Sequence, residues 1–520
     1  MRAPLLLAAP AALALSGAAA AQPPAAPSTT APSTTAPSTT APNARDTAGA
    51  WRATRPALGP APELRLPPAA ERRLSNGMRL VVVEQHELPL ADFALVVGAG
   101  SESDPAGREG LATMTAALLD EGTAGRTSLQ IADQTSFLGV DLGAGAGWDG
   151  SQVTLHAPVE RLDSALALMA DVVVRPSFPV REFERVRRER LTGLLQLRDR
   201  APAIADRAFA QTVFGAAHPY GRPAGGTEVS TRALTRADVQ RFYAAHWRPN
   251  AATLVVVGDV RADDVAQRVE RAFAAWRPAA VPAAVTPPAP AARATAVLLV
   301  DKPGAPQSSV RIGLPGVARL TPDYFPLLVL NTILGGSFTS RLNQNLREAR
   351  GYTYGARSGF SMRRGAGPFQ AAAEVTGAKT DSSLVEFMKE LRAIADTVPA
   401  AELEKAKQYL VLQMPGQFET TGAIAGQLIP VVTYGLPLDY YDTYARRVQA
   451  VTQADLRRVA RQYVDPTKFA IVVVGDRKSV EPTLRALNLG PVTVQRVEDV
   501  LGTASAPGAA PGATAGGSTP

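Results

Sequence analysis

The sequence contains no cysteine and only four histidines, His86, His156, His218 and His246, in 520 residues. Without cysteine there is no disulfide framework, no thiolate zinc site, no iron–sulfur cluster and no cysteine nucleophile. The nearest two histidines are 28 positions apart, so no pair shares a helical turn and every short His-x-x-x-His zinc motif is excluded. Aromatic residues make up 6%, and 54 basic against 47 acidic residues leave a mild net charge of +7. The arginines are dispersed along stretches such as 181–200 rather than gathered into a stripe with exposed aromatics, which argues against nucleic acid as a partner. No run of 18 apolar residues follows the N-terminus, so no transmembrane anchor is expected.

An apolar fraction of 46% is enough to fill globular cores. The N-terminus reads as a secretory signal over residues 1–21. Arg2 supplies the charge, Pro4 to Ser16 form a short apolar run, and Ala19-Ala20-Ala21 provide the small-residue cleavage site. An exported chain without cysteine suits the bacterial periplasm, which is the expected location. Residues 22–62 form a Pro/Ser/Thr-rich spacer in which Ala-Pro-Ser-Thr-Thr recurs three times, a composition that cannot bury a core. A second Pro/Ala-rich stretch, 278–293, is read as a linker between an N-terminal domain (63–277) and a C-terminal domain (294–490). Residues 491–520 are read as a flexible tail.

The two halves look duplicated. Between Thr235–Asp259 and Thr452–Asp476, at an offset of 217, ten of 25 positions are identical and both end in Val-Val-Val-Gly-Asp. Each copy starts with a threonine N-cap and an acidic first turn, runs through an amphipathic helix and a proline, and finishes in a β-branched strand. A weaker echo relates Phe93–Gly98 to Ser308–Gly313 at an offset of 215. Strands are expected at 78–84, 93–98, 152–157 and 253–258. Helices are expected at 111–119, 128–138, 159–173, 180–197 and 237–245. Strands and helices do not alternate one for one, so the fold expected is α+β, two tandem homologous domains, each a mixed sheet covered by helices.

Several motifs then point the same way. They are Leu74-Ser75-Asn76-Gly77-Met78-Arg79-Leu80, Val97-Gly98-Ala99-Gly100-Ser101, Gly110-Leu111-Ala112 with Gly122-Thr123, and His218-Pro219-Tyr220-Gly221-Arg222-Pro223 with Gly226-Thr227. The second half adds Leu334-Gly335-Gly336-Ser337-Phe338-Thr339-Ser340-Arg341-Leu342, Leu346-Arg347-Glu348-Ala349-Arg350-Gly351-Tyr352-Thr353-Tyr354 and Gly435-Leu436-Pro437-Leu438-Asp439-Tyr440-Tyr441. Together they resemble the pitrilysin/insulinase-type (M16) zinc peptidases, in order, from about Leu66 to Leu489.

The resemblance implies an inverted zinc motif, His-x-x-Glu-His, directly after Gly110-Leu111-Ala112. Its two imidazoles would hold zinc and its glutamate would act as general base. The motif positions here are Thr113, Ala116 and Ala117, and the family spacing to the last ligand reaches Leu194. No metal ligand or catalytic base is left, so no cofactor is expected in this chain and no catalysis by it alone. Asp120 and Glu121, adjacent and so on alternate faces, cannot replace the site, and His218 is read as a structural histidine.

The family's second feature, an Arg and a Tyr seven residues apart that hold the substrate backbone, matches Arg347 and Tyr354. Arg341, Arg350 and Tyr352 are read as structural or rim positions, with Tyr352 an alternative to Tyr354. The resemblance is therefore to the non-catalytic subunit of a two-subunit M16 peptidase. Such a subunit encloses unstructured peptides and lends its Arg/Tyr pair to a partner with an intact zinc motif. The alternative is a peptide-binding or scaffold protein of the same fold without a proteolytic role.

Overall fold

Short β-branched runs such as Leu80–Val83, Leu254–Val257, Leu298–Val300 and Ile471–Val474 are buried at every position rather than at alternate ones. Strands of that kind need cover on both faces, and the chain supplies it by trading helices between its halves. The structure, a computed structural model, describes residues 66–503. The expected signal and spacer, and the chain after 503, lie outside the described residues.

The first half contributes strands β1 (Ala69–Arg73), β2 (Arg79–Glu84), β3 (Leu90–Val97), β4 (Asp141–Ala146), β5 (Ser151–Pro158) and β6 (Ala252–Gly258). Its helices are α1 (Leu111–Ala116), α2 (Ser128–Leu138), α3 (Leu162–Val174), α4 (Val180–Gln196), α5 (Ala201–Phe214), α6 (Glu228–Ala233), α7 (Arg236–His246) and α8 (Ala262–Ala272). The second half has β7 (Ala296–Asp301), β8 (Gln307–Pro315), β9 (Thr353–Phe360), β10 (Pro368–Thr376), β11 (Ala470–Gly475) and β12 (Val492–Arg496). Its helices are α9 (Tyr324–Asn331), α10 (Arg341–Asn343), α11 (Thr380–Asp396), α12 (Ala400–Leu412), α13 (Thr421–Thr433), α14 (Tyr444–Ala450), α15 (Gln453–Tyr463), α16 (Arg477–Ala486) and α17 (Val497–Leu501).

The strand orders β1-β2-β6-β3-β5-β4 and β12-β7-β11-β8-β10-β9 show the duplication directly. In each sheet one central pair is parallel (β2 with β6, β7 with β11) and the strands beyond it toward β4 or β9 pair antiparallel. The fold is thus α+β with two mixed sheets. Leu95 opposes Leu254 and Ile312 opposes Ile471, so Leu95 corresponds to Ile312. The offset of 215 expected for this strand is corrected to 217. A slip of two residues keeps every side chain on its face, so hydrophobic alternation could not reveal the error. The sixth strand breaks the symmetry, being N-terminal β1 in one sheet and C-terminal β12 in the other. Residues 492–501 are therefore not a flexible tail: β12 adds in parallel to β7, and α17 follows it.

On one face of the first sheet, Leu80, Val82, Leu95 and Val256 pack under the helices of their own half. On the reverse face, Val81, Val83, Val255 and Val257 share a core with Ile424, Ala425, Leu428 and Val431 of α13, from the second half. The second sheet mirrors this. Leu298, Val300, Val472 and Val474 are covered by Ile204, Ala205, Ala208 and Phe209 of α5, from the first half. Gly313 makes room, because a Cβ there would meet the Phe209 ring at 2.8 Å. Arg311 of β8, 1% exposed, bridges the same layer through Asp206 of α5 (2.6 Å) and Glu374 of β10 (2.9 Å). The linker lies along the surface and is pinned: Thr286 donates to Glu102 (2.8 Å) and Asn250 exchanges bonds with Ala279.

Candidate functional site

In the first half, α1 starts at Gly110, whose φ of +89° suits glycine and whose missing Cβ lets the Gly225 carbonyl approach. The buried Asp104 carboxylate accepts the Gly110 and Ala112 N–H groups, each at 2.8 Å, and so caps the positive end of the helix. Burial pushes this carboxyl up to about 7, against those backbone bonds. From α4, Arg190 donates to the Gly110 carbonyl at 2.7 Å; loss of solvent lowers it to about 10, so it remains a cation at neutral pH. A guanidinium and a carboxylate thus fix the entry to α1.

The four degenerate positions are occupied by packing and backbone contacts. The Thr113 hydroxyl lies within donating distance of the Gly110 (3.0 Å) and Ala224 (3.3 Å) carbonyls. Ala116 is 0% exposed and Ala117 packs against the same core. Leu194, one helical turn beyond Arg190, lines a cavity of about 330 Å³. Asp120 is raised to about 6 by burial, while Glu121 is spent on Arg185. His218 Nδ1 accepts the Tyr220 N–H (3.0 Å) and Nε2 faces the Pro287 carbonyl (3.1 Å), the pattern of a neutral structural imidazole that burial holds below its usual range. Among the described residues, no three His, Asp or Glu side chains are placed to hold a metal ion. The donor set does not fit zinc: two methyls, an isobutyl and a committed hydroxyl offer it nothing.

The second half carries the Arg/Tyr candidates. Arg347 sits in a π-helical turn over Gln344–Ala349, one of two such turns among the described residues, the other being Thr332–Gly336. Wide turns of this kind concentrate at functional sites. Gly351, with φ +64°, ends the turn; its N–H reaches the Arg347 carbonyl and that of Tyr352 reaches Leu346. The chain then enters β9, the end strand of its sheet, with Tyr354 its second residue. Tyr354 is 91% exposed. The Arg347 guanidinium lies over the Phe338 ring, 4.6 Å from its centre, and Phe338 is itself 62% exposed. The Gly351 turn lies between half-buried Arg347 and exposed Tyr354, and no hydrogen bond or ring contact joins the two side chains.

The neighbouring candidates have other duties. Arg341 is bonded to Glu402 and the Thr397 carbonyl, Arg350 to Glu386, and Tyr352 lies beside Lys379. Asn345 reaches Glu386 and Glu390 of α11, which anchors the turn.

One group of residues carried no recognisable signal in the sequence. The tips of the β4–β5 and β9–β10 hairpins meet at Asp149, which accepts the Tyr220 hydroxyl (3.1 Å), the Tyr434 hydroxyl (2.8 Å) and the Arg364 N–H (2.9 Å). Arg364 also pairs with Glu102, and Arg363 stacks between Trp148 (4.1 Å) and Tyr220 (4.5 Å). Partners up to 285 residues apart make this latch between the halves. Tyr220 came forward only as part of a motif.

Two family descriptions match the chain: insulinase (peptidase family M16) over residues 79–215 and the peptidase M16 inactive domain over residues 233–410. The chain belongs to the M16 family. An uncharacterized zinc protease of Streptomyces coelicolor is 28% identical over 415 residues, covering 78% of this chain and 89% of that one. The non-peptidase homolog YmxG of Helicobacter pylori is 23% identical, covering 77% and 92%. A probable mitochondrial-processing peptidase subunit beta of Schizosaccharomyces pombe is 24% identical, covering 79% and 92%. Among solved structures, a peptidase M16 inactive domain from Pseudomonas fluorescens superposes with a TM-score of 0.74 at 28% identity, over 78% of this chain and 98% of that one. No helix among the described residues is long and apolar enough to cross a membrane.

Proposed function

We propose that this M16 chain is the non-catalytic subunit of a two-subunit peptidase. It encloses an unstructured peptide and presents Arg347 and Tyr354 to it, while a partner with an intact His-x-x-Glu-His brings the zinc. The observation that carries the reading is the contrast within one molecule. The four motif positions in the first half offer no metal ligand, with Ala116 buried and Thr113 held against backbone carbonyls, whereas in the second half Arg347 is half-buried over the Phe338 ring and Tyr354 is exposed on an end strand. A guanidinium offers several donors to peptide carbonyls, and a phenol can donate to a developing oxyanion. The end strands β4 and β9 leave backbone groups for an extended peptide to pair with. The relative named as a processing-peptidase subunit supports a partnered role. Export to the periplasm through residues 1–21 belongs to the same proposal.

The test mixes the purified chain with an M16 chain that carries the intact motif. Hydrolysis of an unstructured peptide should need both, and Arg347→Ala with Tyr354→Phe should abolish it while the two chains still co-elute. Full activity of the doubly substituted mixture would overturn the reading. The name of the Helicobacter relative favours a second reading, a peptide-binding scaffold without proteolysis. Peptide binding without hydrolysis, whichever zinc-bearing M16 chain is added, would select it.

A further inference from the structure

The cavity beside Leu194 has a chemistry of its own. Its apolar wall is formed by Trp148, Leu194, Leu197, Ala210 and Leu501, from four separate parts of the chain. Its volume of about 330 Å³ lies at the lower end of the range for small-molecule sites, which combine apolar walls with a few polar groups. Five charged residues also line it.

The two carboxylates there are already committed, Asp206 to Arg311 and Glu228 to Arg232 (2.9 Å). Arg198 is bonded to the Gly502 carbonyl at 2.6 Å. The two remaining cations are under-committed. Arg207 bonds one nitrogen to the Gly221 carbonyl at 3.0 Å. Arg222 reaches the Asp104 carbonyl at 3.3 Å and Glu109 at 3.7 Å, and its Nε is buried without a hydrogen-bond partner. Burial lowers Arg207 to about 10, against the pull of Glu109, so its guanidinium is charged at neutral pH, and Glu109 is the one carboxylate near both groups without hydrogen-bonding to either. A buried cation with donors to spare favours an anion, and the wall favours a hydrocarbon group attached to it.

We propose that this cavity binds an apolar molecule that ends in a carboxylate, with the carboxylate at Arg207 and Arg222 and the hydrocarbon against Leu194, Leu197 and Trp148. Two sources share that chemistry: a medium-chain fatty acid and the free C-terminus of a peptide ending in a large apolar residue. The site needs no partner chain, so it stands or falls separately from the peptidase reading.

Calorimetric titration of the full chain alone tests it, with decanoate, decanol, and the peptide Ala-Ala-Phe-Leu as free acid and as C-terminal amide. At least one acid should bind, and its uncharged counterpart should bind about tenfold or more weakly, the scale of one charge-assisted hydrogen bond. Arg207→Gln with Arg222→Gln should weaken the acid to the same extent. Ala210→Phe, which fills the cavity and leaves both arginines in place, should abolish binding. Whichever acid binds identifies the source. Absence of binding by both acids, equal binding of decanol or the amide, or unchanged binding to the Ala210→Phe chain would overturn the proposal.

Discussion

The duplication offset places α1, the segment that should carry the metal motif, opposite α9 and the π-helical turn that follows it in the second half. Positions 113, 116 and 117 correspond to Leu330, Ile333 and Leu334, which are 0%, 6% and 0% exposed. In the first half those positions are now Thr113, Ala116 and Ala117, with Ala116 at 0% exposure. Ala116 and Ile333 thus share one physical role, an apolar contact in the interior, while Thr113 and Ala117 are half-buried where Leu330 and Leu334 are fully buried. The segments that follow differ: Arg347 is half-buried in a π-helical turn, and Tyr354, on β9, is 91% exposed. Packing alone explains the first pair of segments and leaves the exposed aromatic surface of the second unexplained. On the proposed function, retained exposure rather than retained residue type marks the side that meets the peptide.

The largest expected effect comes from reversing the sealed face. Ala116→Glu places a carboxylate in a fully buried site without a partner and should lower stability by about 4 kcal/mol or more, if the chain folds at all. A chemical-denaturation midpoint close to that of the unsubstituted chain would show that the α1 face can open.

The next effect tests the helix exchange. Phe209→Ala on α5 should cost about 3–5 kcal/mol, and Leu428→Ala on α13 about 2–5 kcal/mol, because both side chains are buried against the opposite half's sheet. If the halves are mutually dependent, each substitution should shift the unfolding of the whole molecule in denaturant. Loss of a single half, read by limited proteolysis, would mean the exchanged helices are decoration.

These exchanged helices also show what the sequence could disclose. The strands at 79–84, 151–158 and 252–258 and the helix Ser128–Leu138 were legible because they bury β-branched or amphipathic patterns and start at strong caps. Thr127, for example, forms a capping box with Gln130. The edge strand Asp141–Ala146 was missed because its composition, Asp-Leu-Gly-Ala-Gly-Ala, lacks β-branched residues, and the partner strand β5 imposes its conformation. Helix α5 was missed because its apolar face serves a sheet more than 80 residues further along the chain. The degenerate motif and the Arg347/Tyr354 pair were legible as positions in a resemblance. Arg190, Asp104 and the Asp149 latch were not, since side chains that meet through tertiary structure leave no spacing to read.

Asp104 offers a smaller, pH-dependent test of how α1 is held. In the unfolded chain its carboxyl releases its proton near 3.8, whereas in the folded chain it holds the proton up to about 7. Between those values the folded state binds more protons, so this group's contribution to stability falls as pH rises through the window and is lowest above it. Asp104→Asn removes the titration. Relative to the unsubstituted chain, the variant should gain about 2–4 kcal/mol between pH 4 and pH 7, on top of any constant cost from its single acceptor oxygen. A difference in unfolding free energy that stays flat with pH would mean the carboxylate is ionised throughout, held by Arg190 and the helix end.

The smallest effect on stability belongs to the open side and is the sharpest test of the comparison. Tyr354 is 91% exposed and Arg347 makes one ring contact and a loose approach to Glu348 at 3.6 Å. Arg347→Ala and Tyr354→Phe should each change the unfolding free energy by no more than about 0.5 kcal/mol, as surface substitutions do. In the mixture with a zinc-bearing M16 chain, either substitution should lower kcat by about a hundredfold, the scale of losing one donor to a developing oxyanion. A side chain that stability ignores and catalysis requires has been kept for its chemistry. If stability falls by several kcal/mol instead, Arg347 and Tyr354 are packing residues, and the asymmetry between the two halves is one of exposure alone.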